Sequence, residues 1–182
     1  SSTTGAVAWL SVDDERVSLL EGFSGAAYTP PSLYFAAKAL PPNVFDKLKE
    51  TKLCSISMAT ARDPAEAFTK ASCPNGSLPT SFSFTELGLP AKKRKPCYPA
   101  VVEHSPTQMY CSVDRIEDLG NGQALIVLLV DIFTIAGSAL SEATEEMKKR
   151  PNVTAKIDVQ LIKPVVSLGE GRVCPLKSIE LM

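Results

Sequence analysis

The sequence has no apolar run long enough to span a bilayer. Its longest, residues 124–130, falls far short of the roughly 20 residues that a spanning helix needs. It also has no excess of charge of one sign, with 19 basic against 20 acidic residues and a formal net charge of −1. So even a balance supplies no global field for nucleic acid or an anionic membrane surface, and neither is expected as a partner. Histidine is all but missing, His104 being the only one. The 5 cysteines, Cys54, Cys73, Cys97, Cys111 and Cys174, contain no Cys-x-x-Cys pair, so no zinc site of ordinary spacing is expected. They read as mostly buried free thiols of a reducing compartment. One histidine and no Gly-x-Ser-x-Gly elbow leave no basis for a Ser-His-Asp triad, and no Walker or Rossmann glycine loop is present. The first ten residues lack the basic flank and apolar stretch of a secretory signal, so a cytoplasmic location is expected. The chain begins at Ser1 and not at Met, which leaves a removed targeting segment open.

What is present fits one domain over residues 1–182, long enough to bury a core without staples. Short β-branched or alternating runs predict strands over residues 5–12, 17–23, 32–37 and 53–58. Two longer strands are predicted around residues 109–116 and 124–135, the second apolar nearly throughout, as in a central strand. Asn121-Gly122 between them is the strongest short hairpin signal in the chain. Pro41-Pro42 opens a helix with Val44, Phe45 and Leu48 on one face. Asp63-Pro64-Ala65-Glu66 reads as a second helix start with Asp63 as its cap. A third, exposed helix is predicted over residues 138–149, and a weakly alternating tail turns at Gly169-Glu170-Gly171. Many strands at hairpin spacing with a few inserted helices predict a mainly β protein, an antiparallel barrel.

Six segments in order resemble the flavin-reductase-like FMN-binding split-barrel family over nearly the whole chain. They are Ala6-Val7-Ala8-Trp9-Leu10-Ser11; the turn from Phe23 into Thr29-Pro30-Pro31-Ser32-Leu33; Leu48-Lys49-Glu50-Thr51 with the following strand; Glu86-Leu87-Gly88-Leu89; Glu103-His104-Ser105-Pro106 with Tyr110-Cys111; and Leu161-Ile162-Lys163-Pro164 through Leu168-Gly169. The resemblance implies a homodimer with FMN at the barrel. It places the phosphate at the turn holding Phe23, Ser24, Gly25, Ala26 and Ala27, and at the helix start reached through Lys38 and Asn43. Amides and hydroxyls suit a phosphate there, and a helix N-terminus adds favourable field. The chain departs from the family pattern at Glu21, a carboxylate near the phosphate position, and lacks the Gly-Asp-His turn of the reductases, having Asn121-Gly122-Gln123 instead.

Two functions follow from this. One is an FMN-binding oxidoreductase acting on flavin or a small organic substrate. The other is a barrel that has lost FMN and uses its pocket for a cofactor-free reaction or for holding a small ligand. Glu21 and His104 are the candidate catalytic groups, as a carboxylate whose pKa burial can raise and as the only imidazole. Trp9 and Tyr28 are candidate ring platforms for an isoalloxazine, with plain core packing as the alternative. Lys92-Lys93-Arg94-Lys95 reads as a solvated loop, because no aromatic residue interleaves it.

Overall fold

The computed structural model describes residues 5–72, 77–151, 155–157, 162, 165–169 and 172–175. In chain order the first elements are β1 (Gly5–Ser11), β2 (Arg16–Glu21), β3 (Ser24–Tyr28), β4 (Pro31–Ala36), α1 (Pro42–Thr51), β5 (Leu53–Met58) and α2 (Ala65–Ala71). Three two-residue strands follow, β6 (Phe82–Ser83), β7 (Ala91–Lys92) and β8 (Val101–Val102). The long hairpin is β9 (Thr107–Gly120) and β10 (Gln123–Ile135). The last elements are β11 (Leu140–Glu142), α3 (Glu145–Lys148), β12 (Ala155–Ile157), β13 (Val165–Gly169) and β14 (Arg172–Pro175).

Strands β2, β1, β5, β9, β10, β4 and β3 follow one another through antiparallel pairs. Six of them (β1, β2, β4, β5, β9 and β10) send side chains into a single cluster that includes Leu10, Leu20, Phe35, Ile56, Met109 and Ile126. A sheet with six of its strands facing one cluster is curled round it, and α1 adds Val44 and Leu48 to that interior. A second cluster lies on the outside of β1 and β2, where Val7, Trp9, Val17 and Leu19 meet Ala67 and Phe68 of α2. This explains why β1 reads as a continuous apolar run. Its alternate residues are buried on opposite faces, and neither face meets water.

The hairpin turn is the one the sequence predicts. Asn121 (φ 53°) and Gly122 (φ 72°) both take the left-handed backbone that a type I′ turn requires. Two helix expectations are corrected. Residues 138–149 do not form one helix, because Leu140, Ser141 and Glu142 pair with β12, and only Glu145–Lys148 is α-helical, behind a Thr144 cap. A helix this short and exposed is marginal on its own, and pairing with β12 competes successfully for its first half. Nor does Asp63 cap α2: Pro64 holds the N-cap position without a side-chain bond, and the Asp63 carboxylate points into the core. The expected free thiols are confirmed for Cys54 and Cys111, which are buried, whereas Cys97 is exposed. Cys73, the side chains of Tyr28 and Cys174, and the 170–171 turn lie outside what the structure describes. No helix among the described residues is long and apolar enough to cross a membrane.

Candidate functional site

The residues that the sequence groups into one site occupy three places. Glu21 ends β2 and Lys38 sits in the short 3-10 turn after β4; both line a cavity of about 390 Å³. Ser24, Gly25, Ala26 and Ala27 lie exposed on β3, the last strand of the sheet, which pairs with β4 alone among the described strands. Phe23 is half-buried and packs against the barrel interior. Asn43 is in the first turn of α1 and faces a different cavity, of about 280 Å³. There its Nδ2 donates to Ser81 Oγ at 3.4 Å, and Arg16 donates to the same oxygen and to the Ser81 carbonyl.

This second cavity has features that suit an anion. The α1 N-terminus carries no side-chain cap, and Arg16 and Lys47 bring positive charge. Ser18 presents a buried hydroxyl without a hydrogen-bond partner among the described residues. Asp13 also lines the cavity, but its Oδ1 is already engaged by the amides of Glu15 and Arg16. The donors around Asn43 suit an anion, whereas Lys38 shares its own cavity with the Glu21 carboxylate.

His104 has a partner that the sequence did not offer. Its Nε2 lies 2.5 Å from Asp63 Oδ1, while its neighbour Glu103 faces Lys92 across 4.0 Å. A carboxylate can only accept, so Nε2 carries the proton and Nδ1 is left for other contacts. Asp63 is held in turn by Trp9 Nε1 at 2.8 Å and by the Thr60 amide at 2.9 Å, both on Oδ2. Its side chain is only 1% exposed, against 30% for His104. A buried charge needs this many donors to persist. Trp9 is thereby excluded as a flavin platform: it is 1% exposed, packed on Phe68 at 5.2 Å between ring centroids, and committed to Asp63. Nothing local marks this set, since the Trp9–Asp63 and His104–Asp63 bonds join residues 54 and 41 positions apart.

His104 opens onto a third cavity of about 620 Å³. Arg62, Arg94 and Lys95 bring cations to it, and Tyr110 forms part of its wall. Burial pushes the Tyr110 phenol up, with Arg94 opposing the shift. The basic loop is in part tied down: Lys93 meets Asp14 at 2.9 Å and Arg94 Nη2 donates to the Glu103 carbonyl at 3.1 Å.

No family model matches the chain, and no curated protein matches it in sequence. Solved structures do match it in fold. A split-barrel protein of Shewanella frigidimarina NCIMB 400, described as a flavin reductase, superposes with a TM-score of 0.73 at 15% identity, over 98% of this chain and 85% of that one. Nitrilotriacetate monooxygenase component B of Bacillus cereus gives 0.69 at 16% identity, over 98% and 88%. The styrene monooxygenase flavin reductase of Pseudomonas putida S12 gives 0.61 at 11% identity, over 99% and 95%. This chain has the flavin-reductase-like split-barrel fold.

Proposed function

We propose that the protein is a flavin-binding oxidoreductase that uses FMN, working as a homodimer on flavin or on a small organic substrate in the cytoplasm. The observation that carries this reading is the shared fold with flavin reductases along nearly the whole chain. FMN, when bound, supplies reversible uptake of electrons from a reductant. The chain's own part is to hold and surround it. The amides that β4 leaves free along Ser24, Gly25, Ala26 and Ala27, and Lys38 and Asn43 in their separate cavities, are the groups suited to its phosphate. Glu21 and His104 are the proton-handling candidates. Asp63 fixes the His104 ring and its tautomer, so that a proton can be exchanged at Nδ1. For the homodimer, support comes from Tyr34 on β4 and Phe133 on β10, apolar rings 38% and 50% exposed.

The test is an absorption spectrum of the fresh protein followed by titration with FMN. Flavin bands or saturable quenching of FMN fluorescence support the proposal. A colourless protein that does not quench FMN at high micromolar concentration overturns it.

A second reading, a cofactor-free pocket, is favoured by one observation: Glu21 puts a carboxylate into the same cavity as Lys38. Glu21→Gln separates the two. A flavoprotein keeps or gains FMN affinity when the charge is removed. A cofactor-free acid–base enzyme loses on the order of 100- to 10,000-fold in rate.

A further inference from the structure

The cavity beside His104 carries an excess of positive charge. In a chain of net charge −1, it gathers Arg62, Arg94 and Lys95. Among the described residues, the Arg62 guanidinium and the Lys95 ammonium make no ion pair or hydrogen bond. Arg94 spends one nitrogen on the Glu103 carbonyl and keeps the others. Among the described residues of the cavity wall Glu103 is the single carboxylate, and it already faces Lys92. Charge-assisted pairs with a guanidinium fork are among the stronger polar contacts a protein makes, and two arginines at one cavity offer two forks.

The rest of the wall is not that of a phosphate site. Pro106, Ile135 and Ala136 bring apolar surface next to the cations, and the ring of Tyr110 adjoins them. The volume, about 620 Å³, falls within the range that takes a small organic molecule. A ligand matching this wall has one anionic end and an apolar body. His104 completes it: Asp63 fixes the ring through Nε2, and Nδ1 makes no hydrogen bond to any described residue.

We propose that this cavity binds a small organic acid. Arg62, Arg94 and Lys95 hold its carboxylate, Pro106, Ile135 and Ala136 take its apolar body, and His104, braced by Asp63, is the hydrogen-bonding ring of the site. The proposal does not depend on flavin, because it concerns a cavity lined by none of the candidate FMN residues.

The single histidine makes the test direct, since the imidazole signals in an NMR spectrum belong to one ring and need no assignment. Flavin-free protein is titrated with benzoate, with benzamide as the same body without charge, with acetate as the charge without the body, and with inorganic phosphate. The expected result is a saturable shift of the His104 ring signals with benzoate, weaker binding of acetate, and no saturable response to benzamide. Arg62→Gln and Arg94→Gln should each weaken benzoate by about tenfold or more, with far-UV circular dichroism unchanged. Lys95→Gln, a change in a loop without regular structure, serves as a further variant in case either arginine variant fails to fold. A flat response to benzoate overturns the proposal, and so does benzamide binding as tightly. Saturable binding of phosphate without benzoate overturns the assignment to a carboxylate. Because the readout is binding at His104, failure of the FMN titration leaves this result standing, and the reverse holds too.

Discussion

Cys54 on β5 and Cys111 on β9 are direct cross-strand partners, and neither has any exposed surface. Their mutual hydrogen bond, followed by burial, pushes the Cys54 thiol well above its ordinary range, so little thiolate forms at neutral pH. The native protein should therefore react with a thiol reagent at Cys97 long before Cys54 or Cys111. Peptide mapping after brief labelling checks this, and labelling of Cys54 at the rate of Cys97 would refute it. Tyr98 allows a pH test. Burial, and then its hydrogen bond to Asp131, raises the phenol from 10.0 to about 12. A raised folded-state value means that the protonated phenol is favoured by folding. Its contribution is complete below pH 10, is lost as pH climbs toward 12, and is absent from Tyr98→Phe throughout. The stability gap between wild type and Tyr98→Phe should shrink over that window in denaturant titrations at successive pH. A constant gap would show that the phenol is not held as described.

Among the elements, α1 shows a conflict between local conformation and residue type. It ends on Lys52 at φ 61°, a left-handed position whose amide donates to the Leu48 carbonyl at 2.9 Å. Glycine is the residue this geometry favours, since a Cβ crowds the backbone there. Lys52→Gly should raise stability by about 0.5–1 kcal/mol, read from the denaturant midpoint at unchanged slope. A lower midpoint would mean that the lysine stem packs usefully against its surroundings. The hairpin of β9 and β10 shows the opposite case, with Gly120, Asn121 and Gly122 at the three positions where the backbone turns left-handed. The 138–149 segment is not legible in this way. Its charge pattern suits a helix, and only the pairing of Leu140–Glu142 with Ala155–Ile157 turns its first half into a strand.

At the scale of the whole molecule, the barrel consumes most of its apolar side chains in two clusters and leaves Phe133 and Tyr34 on the surface of neighbouring strands. The proposed homodimer would cover them. Light scattering coupled to size exclusion should give twice the chain mass, and Phe133→Asp should shift the protein toward monomer with its circular dichroism intact. A monomer at tens of micromolar would remove dimerisation from the proposal.

The sequence by itself determined the mainly β class of fold and the Asn121-Gly122 turn between the two long strands. These follow from short-range patterns, in which period-two alternation, apolar runs and turn residues constrain their own neighbours. It also singled out His104, simply because no other histidine exists. Only the tertiary structure decided what His104 meets. The loop after β5 brings Asp63 beneath it, β1 brings Trp9 to Asp63, and the basic loop brings Arg94 and Lys95 to the same cavity. Asp63 reads locally as a helix cap. It becomes a buried anchor because burial in a dry core demands donors for its charge, and the donors that answer lie far along the chain.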